Sequence, residues 1–548
     1  GEVRQTGPHP PVVVIVFDEF PLVSLLGADG SIDAERFPHF ARLAGESTWY
    51  RNATGMAGWT PYALPAMLTG REPARHVAPH YSQHPENLFT LFGEVYRIHA
   101  AESISELCPP WYCGDLAERA GGGLPEVLVE SADLWRRTVS PSDPVRDEHA
   151  DFVEETVAER LGAGLAAAQA GPEFRFDRVA ENQPVRFHDF LAALADHPPD
   201  GESVDAGGTA EASAAASAAG VGGGSVTAAA PAAAAGPTPT LHFLHLLLPH
   251  TPWTYLPSGV RYYNVPGLPV DGQWWSRLAL QRHELQLQYT DALLGETLRV
   301  LRETGRYDDA LVVVTADHGV SLTPGTAGRE LDPAGRAATE LAWVPLFIKA
   351  PGQRAGVVDD RNWQHVDLLP TLADLAGFEV PWPTDGISAL RERRDSTDKV
   401  YYGDLDDRRV LDGAAHFALI RSNPAGIPDV PEAPLPQLVG RPVAELPVTD
   451  GDVRASVDEV ERFAEVDLSL LPALVHGRLS GRVAEGTALA IAVNGRVGAV
   501  VPVVAESGGG RRFAGLVEDE SLFVAGGNTL ELFLVTDDGS ALQRVRIS

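Results

Sequence analysis

The chain has 548 residues, with 43 Lys and Arg against 75 Asp and Glu, a formal net charge of −32. That length accommodates several domains with large cores, and the acidity argues against a polyanion-binding protein, so nucleic acid is not expected as a partner. The two cysteines, Cys108 and Cys113, are expected to close a small disulfide loop, which fits an oxidising compartment; two thiols without matching histidines are too few for a structural zinc site.

In chain order, residues 1–9 are expected to form an N-terminal tail. "PPVVVIVFDEF" (10–20) then reads as a buried parallel strand ending in Asp18 and Glu19. In "GWTPYALPAMLTG" (58–70), Thr60 precedes Pro61 at a helix start, where proline is tolerated, and Thr60 is expected to be the N-cap. Residues 200–240 are almost wholly Ala, Gly, Ser, Thr and Pro, too poor in bulky side chains to offset their ordering entropy, and are expected to form a disordered insertion within one catalytic domain.

"TLHFLHLLLPHTPW" (240–253) reads as another strand, carrying His245 and then His250. Helical spacing over 276–305, with Gly305 as C-cap, delivers the chain to "DDALVVVTADHG" (308–319), a strand ending in Asp317 and His318. "WVPLFIKAPG" (343–352) and "HVDLLPTLADLAG" (365–377) add a strand and a helix. The fold expected is α/β, a mostly parallel central sheet flanked by helices over 10–405. A Pro-rich connector is expected over 406–464. Short alternating runs with Asn-Gly and Asp-Gly turns then predict a small C-terminal antiparallel β-sandwich over 465–548.

Open α/β sheets bind ligands at the C-terminal ends of their strands. Asp18, Glu19, Asp317 and His318 gather three carboxylates and an imidazole there, a donor set for one divalent metal ion: zinc, manganese or calcium. A lone Asp-Glu or Asp-His pair would ordinarily be a solvated strand end; two such pairs after two matching strands carry more weight.

"VVVIVFDEF", "TPYALPAMLTGRE", "LLLPHTPW", "VVVTADHG", "VPLFIKAPG" and "DLLPTLADLAG" occur in this order, and over about residues 10–400 the chain resembles sulfatase-like enzymes of the alkaline phosphatase superfamily. The resemblance places Thr60 at the nucleophile position. Typical sulfatases have a Cys or Ser there, converted to formylglycine, within a Cys/Ser-x-Pro-x-Arg segment; here Tyr62 and Leu64 stand for that Pro and Arg. A secondary alcohol cannot be oxidised to an aldehyde. The threonine instead is similar to the nucleophile of phosphoethanolamine transferases and lipoteichoic acid synthases, where the hydroxyl attacks phosphorus.

The resemblance therefore implies a metal-dependent hydrolase or transferase acting on a phosphate ester or phosphodiester of a cell-envelope lipid or glycan, through a covalent Thr60 intermediate. His250, with His245, would contact the transferred group or protonate the leaving oxygen. An extracytoplasmic location follows from the same resemblance and from the disulfide. No apolar run of membrane-spanning length occurs and the chain starts at Gly1 without a methionine, so a membrane anchor outside this stretch fits the expectation. No histidine follows Asp291 at the fourth position, so one metal rather than two is expected. Lys349, His365 and Arg329 are left outside the catalytic core, His365 as a second-tier candidate. Two alternatives are a sulfuric ester hydrolase without formylglycine, and a catalytically silent scaffold that binds glycan.

Overall fold

The computed structural model describes residues 4–5, 7, 9–74, 77–117, 183–195, 238–265, 273–324, 328–329, 331, 335–403, 407–422, 433–506 and 509–548. The Ala/Gly-rich stretch expected as an insertion lies almost wholly outside them. Among the described residues seven strands build the central sheet: β1 (Val12–Phe17), β2 (Thr48–Tyr50), β3 (Arg97–Ala101), β4 (Thr240–Leu246), β5 (Leu311–Ala316), β6 (Leu346–Lys349) and β7 (Val357–Asp359). Their order is β7-β2-β6-β5-β1-β4-β3. The pairs β7·β2, β5·β1, β1·β4 and β4·β3 are parallel, and β2·β6 and β5·β6 antiparallel. The mostly parallel α/β sheet expected from the sequence is thus present.

The strand β1 is buried along its whole length because both faces of the sheet are covered. Val13, Ile15 and Phe17 enter one apolar core, Val12, Val14 and Val16 the other. Full burial of one such aliphatic side chain contributes roughly 1.5–3 kcal/mol, so the β-branched run is pinned in place and in register. Helices α1 (Pro38–Ala44), α2 (Thr60–Thr69), α3 (Gln273–Glu303) and α4 (Leu368–Leu375) belong to these layers. The Cys108–Cys113 disulfide is formed, with a Cα separation of 6.2 Å.

Two local expectations shift. The N-cap of α2 is Trp59, in extended conformation, and Thr60 is the first helical residue; Pro61 fits either arrangement, and the hydroxyl of Thr60 is engaged elsewhere. The N-terminal segment pairs at Arg4–Gln5 with Phe378–Glu379.

The C-terminal unit is one continuous eight-stranded sheet: β8 (Val448–Val457), β9 (Leu474–Ser480), β10 (Ala488–Val493), β11 (Arg496–Pro502), β12 (Val504–Ala505), β13 (Arg511–Leu516), β14 (Leu530–Val535) and β15 (Leu542–Ile547). Its order is β11-β10-β14-β15-β8-β9-β13-β12. All pairs are antiparallel except β8·β15. The sheet curls over its own core: the Cβ position at Gly515 on β13 lies 2.6 Å from Val501 Cγ1 of β11. It is thus barrel-like rather than two stacked sheets. The β10–β11 hairpin turns at Asn494 and Gly495, both at positive φ, the backbone that Asn-Gly was expected to supply. The sheet also takes in β8, inside the segment expected to be connector; there Val453, Ala455 and Val457 alternate with exposed residues.

Candidate metal and nucleophile site

Strand register assembles the site. Phe17 pairs with both Ala316 and Leu246, so Asp18 and Asp317, each one residue further on, emerge side by side at the carboxyl edge, and His245 sits one residue earlier on β4. Gly319 keeps the turn after His318 tight: a Cβ there would lie 1.9 Å from the Glu340 carbonyl oxygen.

Asp18, Asp317 and His318 each offer a ligand atom, the three within 4.8 Å of one another, and all are buried. Asp18 Oδ1 and Asp317 Oδ2 lack a hydrogen-bond partner among the described residues. Orphaned buried carboxylate oxygens are costly unless something electropositive meets them. Burial pushes the Asp317 carboxyl up to about 7, and burial with the Asp317 charge pushes Asp18 well above the carboxylate range.

The imidazole of His318 is fixed in orientation. Its Nδ1 lies 2.9 Å from the Gly319 carbonyl oxygen, a hydrogen bond that requires the proton on Nδ1 and leaves Nε2 with its lone pair facing the carboxylates. Burial and Arg329 hold its pKa well below the ordinary value. This donor set of two carboxylates and one neutral imidazole fits a divalent cation.

Thr60 closes the cluster. Its hydroxyl is buried, 3.3 Å from Asp18 Oδ2 and 3.3 Å from His318 Nε2, and the first residue of α2 thereby faces the ligand group. His245 is fully buried, its Nε2 3.6 Å from Asp18 Oδ2, and burial lowers its pKa to about 3, so the ring is neutral at ordinary pH.

Glu19, expected as a further ligand, adopts φ 55°, in the left-handed region, and is not among the three residues whose ligand atoms lie within 4.8 Å of one another. Glu19 Oε1 accepts from Arg329 Nε at 3.0 Å and Nη2 at 2.7 Å, and the Thr251 N–H donates to Oε2 at 3.2 Å. Burial would raise its pKa, but His250 and Arg329 outweigh that and hold it at about 2. Both carboxylate oxygens are therefore committed to protein donors.

Arg329, left out of the core on sequence, lies in the site. Its guanidinium also faces His250 Nε2 at 3.0 Å and stacks 4.3 Å from the Trp59 ring centroid, beside Thr60. The Gly-rich surroundings of Arg329 hold no periodic signal, so only its positive charge hinted at this place. His250 Nδ1 meets the Thr251 carbonyl oxygen, and Nε2 lies 3.5 Å from Glu19 Oε1. His365 and Lys349 serve the scaffold: the first bonds Thr315 Oγ1 at 3.0 Å, the second donates to carbonyl oxygens of Asp308, Ala310 and Ala350. Asp291 accepts from the His39 and Phe40 N–H groups at the start of α1.

Comparison with known proteins shows which family the chain is similar to. The Sulfatase family model matches residues 226–378, which include His245, His250, Asp317 and His318. The multifunctional alkaline phosphatase superfamily protein PehA of Trinickia caryophylli is 35% identical over 106 residues, 18% of this chain and 19% of that one. Human N-sulphoglucosamine sulphohydrolase is 24% identical over 387 residues, 66% of this chain and 61% of that one. Lipoteichoic acid synthase 1 of Bacillus subtilis is 31% identical over 98 residues, 17% of this chain and 15% of that one. The chain spans less than two thirds of the length of each of these relatives. Over these stretches the chain is similar to sulfatase-like proteins of the alkaline phosphatase superfamily.

Proposed function

We propose that the chain is a metal-dependent hydrolase or transferase that moves a phosphoryl group from an ester or diester through a covalent bond to Thr60. The observation that carries this reading is the buried Thr60 hydroxyl, 3.3 Å from both Asp18 and His318, in a pocket of ligand atoms. Asp18, Asp317 and His318 would hold the metal, which would lower the pKa of the attacking hydroxyl and offset charge developing on the transferred oxygens. Glu19 is omitted from the ligand set because its oxygens are engaged by Arg329 and the Thr251 N–H.

The protein's own groups then have these roles. Thr60 Oγ1 directs its proton toward Asp18 Oδ2, and its oxygen forms the new bond to phosphorus as the bond to the leaving oxygen breaks. Its place in the first turn of α2 sets the developing anion at the positive end of the helix dipole. His250 Nε2 accepts from Arg329 in the resting site; with substrate drawing the guanidinium away, its protonated form would supply the proton that the leaving oxygen takes up. Water, or a hydroxyl of a glycan or lipid, then attacks the phosphothreonine; the P–Oγ1 bond breaks and Oγ1 regains a proton. The bound group is thus handed to water or to an acceptor. An envelope lipid or glycan at an extracytoplasmic location is the substrate class and place we assign; the Cys108–Cys113 disulfide supports the oxidising compartment. Among the described residues no helix is long and apolar enough to cross a membrane.

Mass spectrometry of the Thr60 peptide tests this, after metal-loaded protein meets phospholipid, a generic phosphodiester and a sulfate ester. Added phosphate or phospho-headgroup mass on Thr60, absent in Thr60→Ala, is expected. Sulfate release with an unmodified peptide would overturn it in favour of a sulfuric ester hydrolase, and metal binding without turnover of any probe in favour of a glycan-binding scaffold.

A further inference from the structure

The loop that carries His250 is fastened from behind by α3. Gln286, fully buried, donates from Nε2 to the His250 carbonyl oxygen at 2.7 Å, and its Oε1 accepts from the Thr254 and Tyr255 N–H groups at 2.9 and 3.3 Å. One side chain thus ties both ends of the His250 turn. One helical turn earlier on α3, Arg282 donates to the Trp253 carbonyl oxygen at 2.8 Å and to the Tyr262 hydroxyl at 3.2 Å. A buried arginine and glutamine spent on the backbone of one loop fix its path, since buried backbone groups are held where their hydrogen-bond partners are.

The same helix is seated on the C-terminal sheet. Trp274 near the start of α3, with Leu278 and Leu285, shares one apolar core with the inner face of that sheet, and Trp274 Nε1 donates to the Ala514 carbonyl oxygen of β13 at 3.4 Å. Tyr262, the acceptor of Arg282, belongs to a two-residue strand, Arg261–Tyr262, paired in parallel with Leu470–Leu471 just before β9. A contiguous set of packed and hydrogen-bonded groups therefore runs from the C-terminal sheet through α3 to the His250 backbone.

We infer that Gln286 and Arg282 are positioning residues for His250, and that the C-terminal sheet is the buttress that holds them, which makes it a working part of the site and not an appended binding module. This rests on the role assigned to His250 above. A group that protonates a leaving oxygen must be placed within hydrogen-bond reach, and a displacement of about 1 Å can cost about a hundredfold in rate. The effect should grow with the need for that proton.

The test uses the full metal-loaded chain and two methyl phosphodiesters, one with p-nitrophenol and one with phenol as leaving group. Gln286→Met is expected to lower kcat about 10–100-fold on the phenyl ester, less than about threefold on the p-nitrophenyl ester, with KM unchanged. Trp274→Ala, remote from the site, is expected to give the same selectivity. An equal loss on both esters, or a loss that follows the melting temperature, overturns the inference. His250→Ala separates the two readings: if it shows no leaving-group dependence, the role of His250 fails. The clamp is then judged by hydrogen exchange. Gln286→Met should speed exchange at Thr254 and Tyr255 alone, and Gln286→Glu, which keeps the acceptor, should restore protection there. Unchanged exchange in Gln286→Met overturns the clamp independently of any activity.

Discussion

A threonine at a helix start ordinarily turns its hydroxyl back to the helix N–H groups; Thr60 instead points it at Asp18 and His318. The two possible uses of that oxygen differ in what substitution does. If it is the nucleophile, Thr60→Ala should lower kcat by roughly three orders of magnitude or more with little change in melting temperature, and Thr60→Ser should keep measurable turnover, both read by steady-state kinetics. Glu19 makes the second residue-scale test. Metal analysis of purified protein should find Asp317→Asn depleted and Glu19→Gln still loaded, because only the former removes an unengaged ligand oxygen. Glu19 also predicts an acid limb. Its folded pKa of about 2 lies below the ordinary value of 4.5, so the unfolded chain takes up the proton first as pH falls. The stability it contributes is fully present above about pH 4.5 and is lost toward pH 2. The melting-temperature advantage of the native protein over Glu19→Gln should shrink across that window; an advantage that stays constant would sink the assignment.

At the scale of elements, α1 and α3 are joined by a capping device that a search for metal ligands would misread. Asp291 accepts N–H bonds from His39 at 3.1 Å and Phe40 at 2.8 Å, which satisfies donors that the first turn of α1 leaves open. Asp291→Ala should therefore cost about 1–2 kcal/mol of stability in denaturant titration, with metal content and specific activity of the folded protein unchanged. A loss of metal instead would mean that the carboxylate does more than cap. The same reasoning applies to the His250 turn, where α3 provides the rigid element, a division that would suit the role proposed for His250.

Across the whole molecule, the two units share a core at α3, so stability and site geometry are linked. Binding of a metal to the native state alone stabilises by mass action, about 2.7 kcal/mol when free metal is a hundredfold above its Kd. Chelation should accordingly lower the thermal midpoint of the native chain, and calorimetry should find Asp317→Asn indifferent to chelator. Placing two carboxylates and an imidazole in a buried cluster is unfavourable until a cation meets them, so the protein carries this cost for its site, and the two apolar cores around β1 supply the stability that permits it.

The strands ending in Asp18 and Asp317, the long helix before β5, and the Asn494-Gly495 hairpin were legible because each is set by local chemistry: β-branched runs, helical spacing, and a turn that needs positive φ. The gathering of Asp18, Asp317, His318 and Thr60 was legible in part, since matching strands place their ends on one edge of a parallel sheet. The rest depended on contacts between segments far apart in the chain. Arg329 engages the Glu19 carboxylate across 310 positions, the β8 strand joins the C-terminal sheet by pairing with β15 nearly a hundred residues on, and Gln286 reaches the His250 loop only because α3 packs behind it. Sequence determined which residue types and local elements were available; the tertiary structure decided which carboxylate stays unengaged, because that depends on which cation arrives beside it.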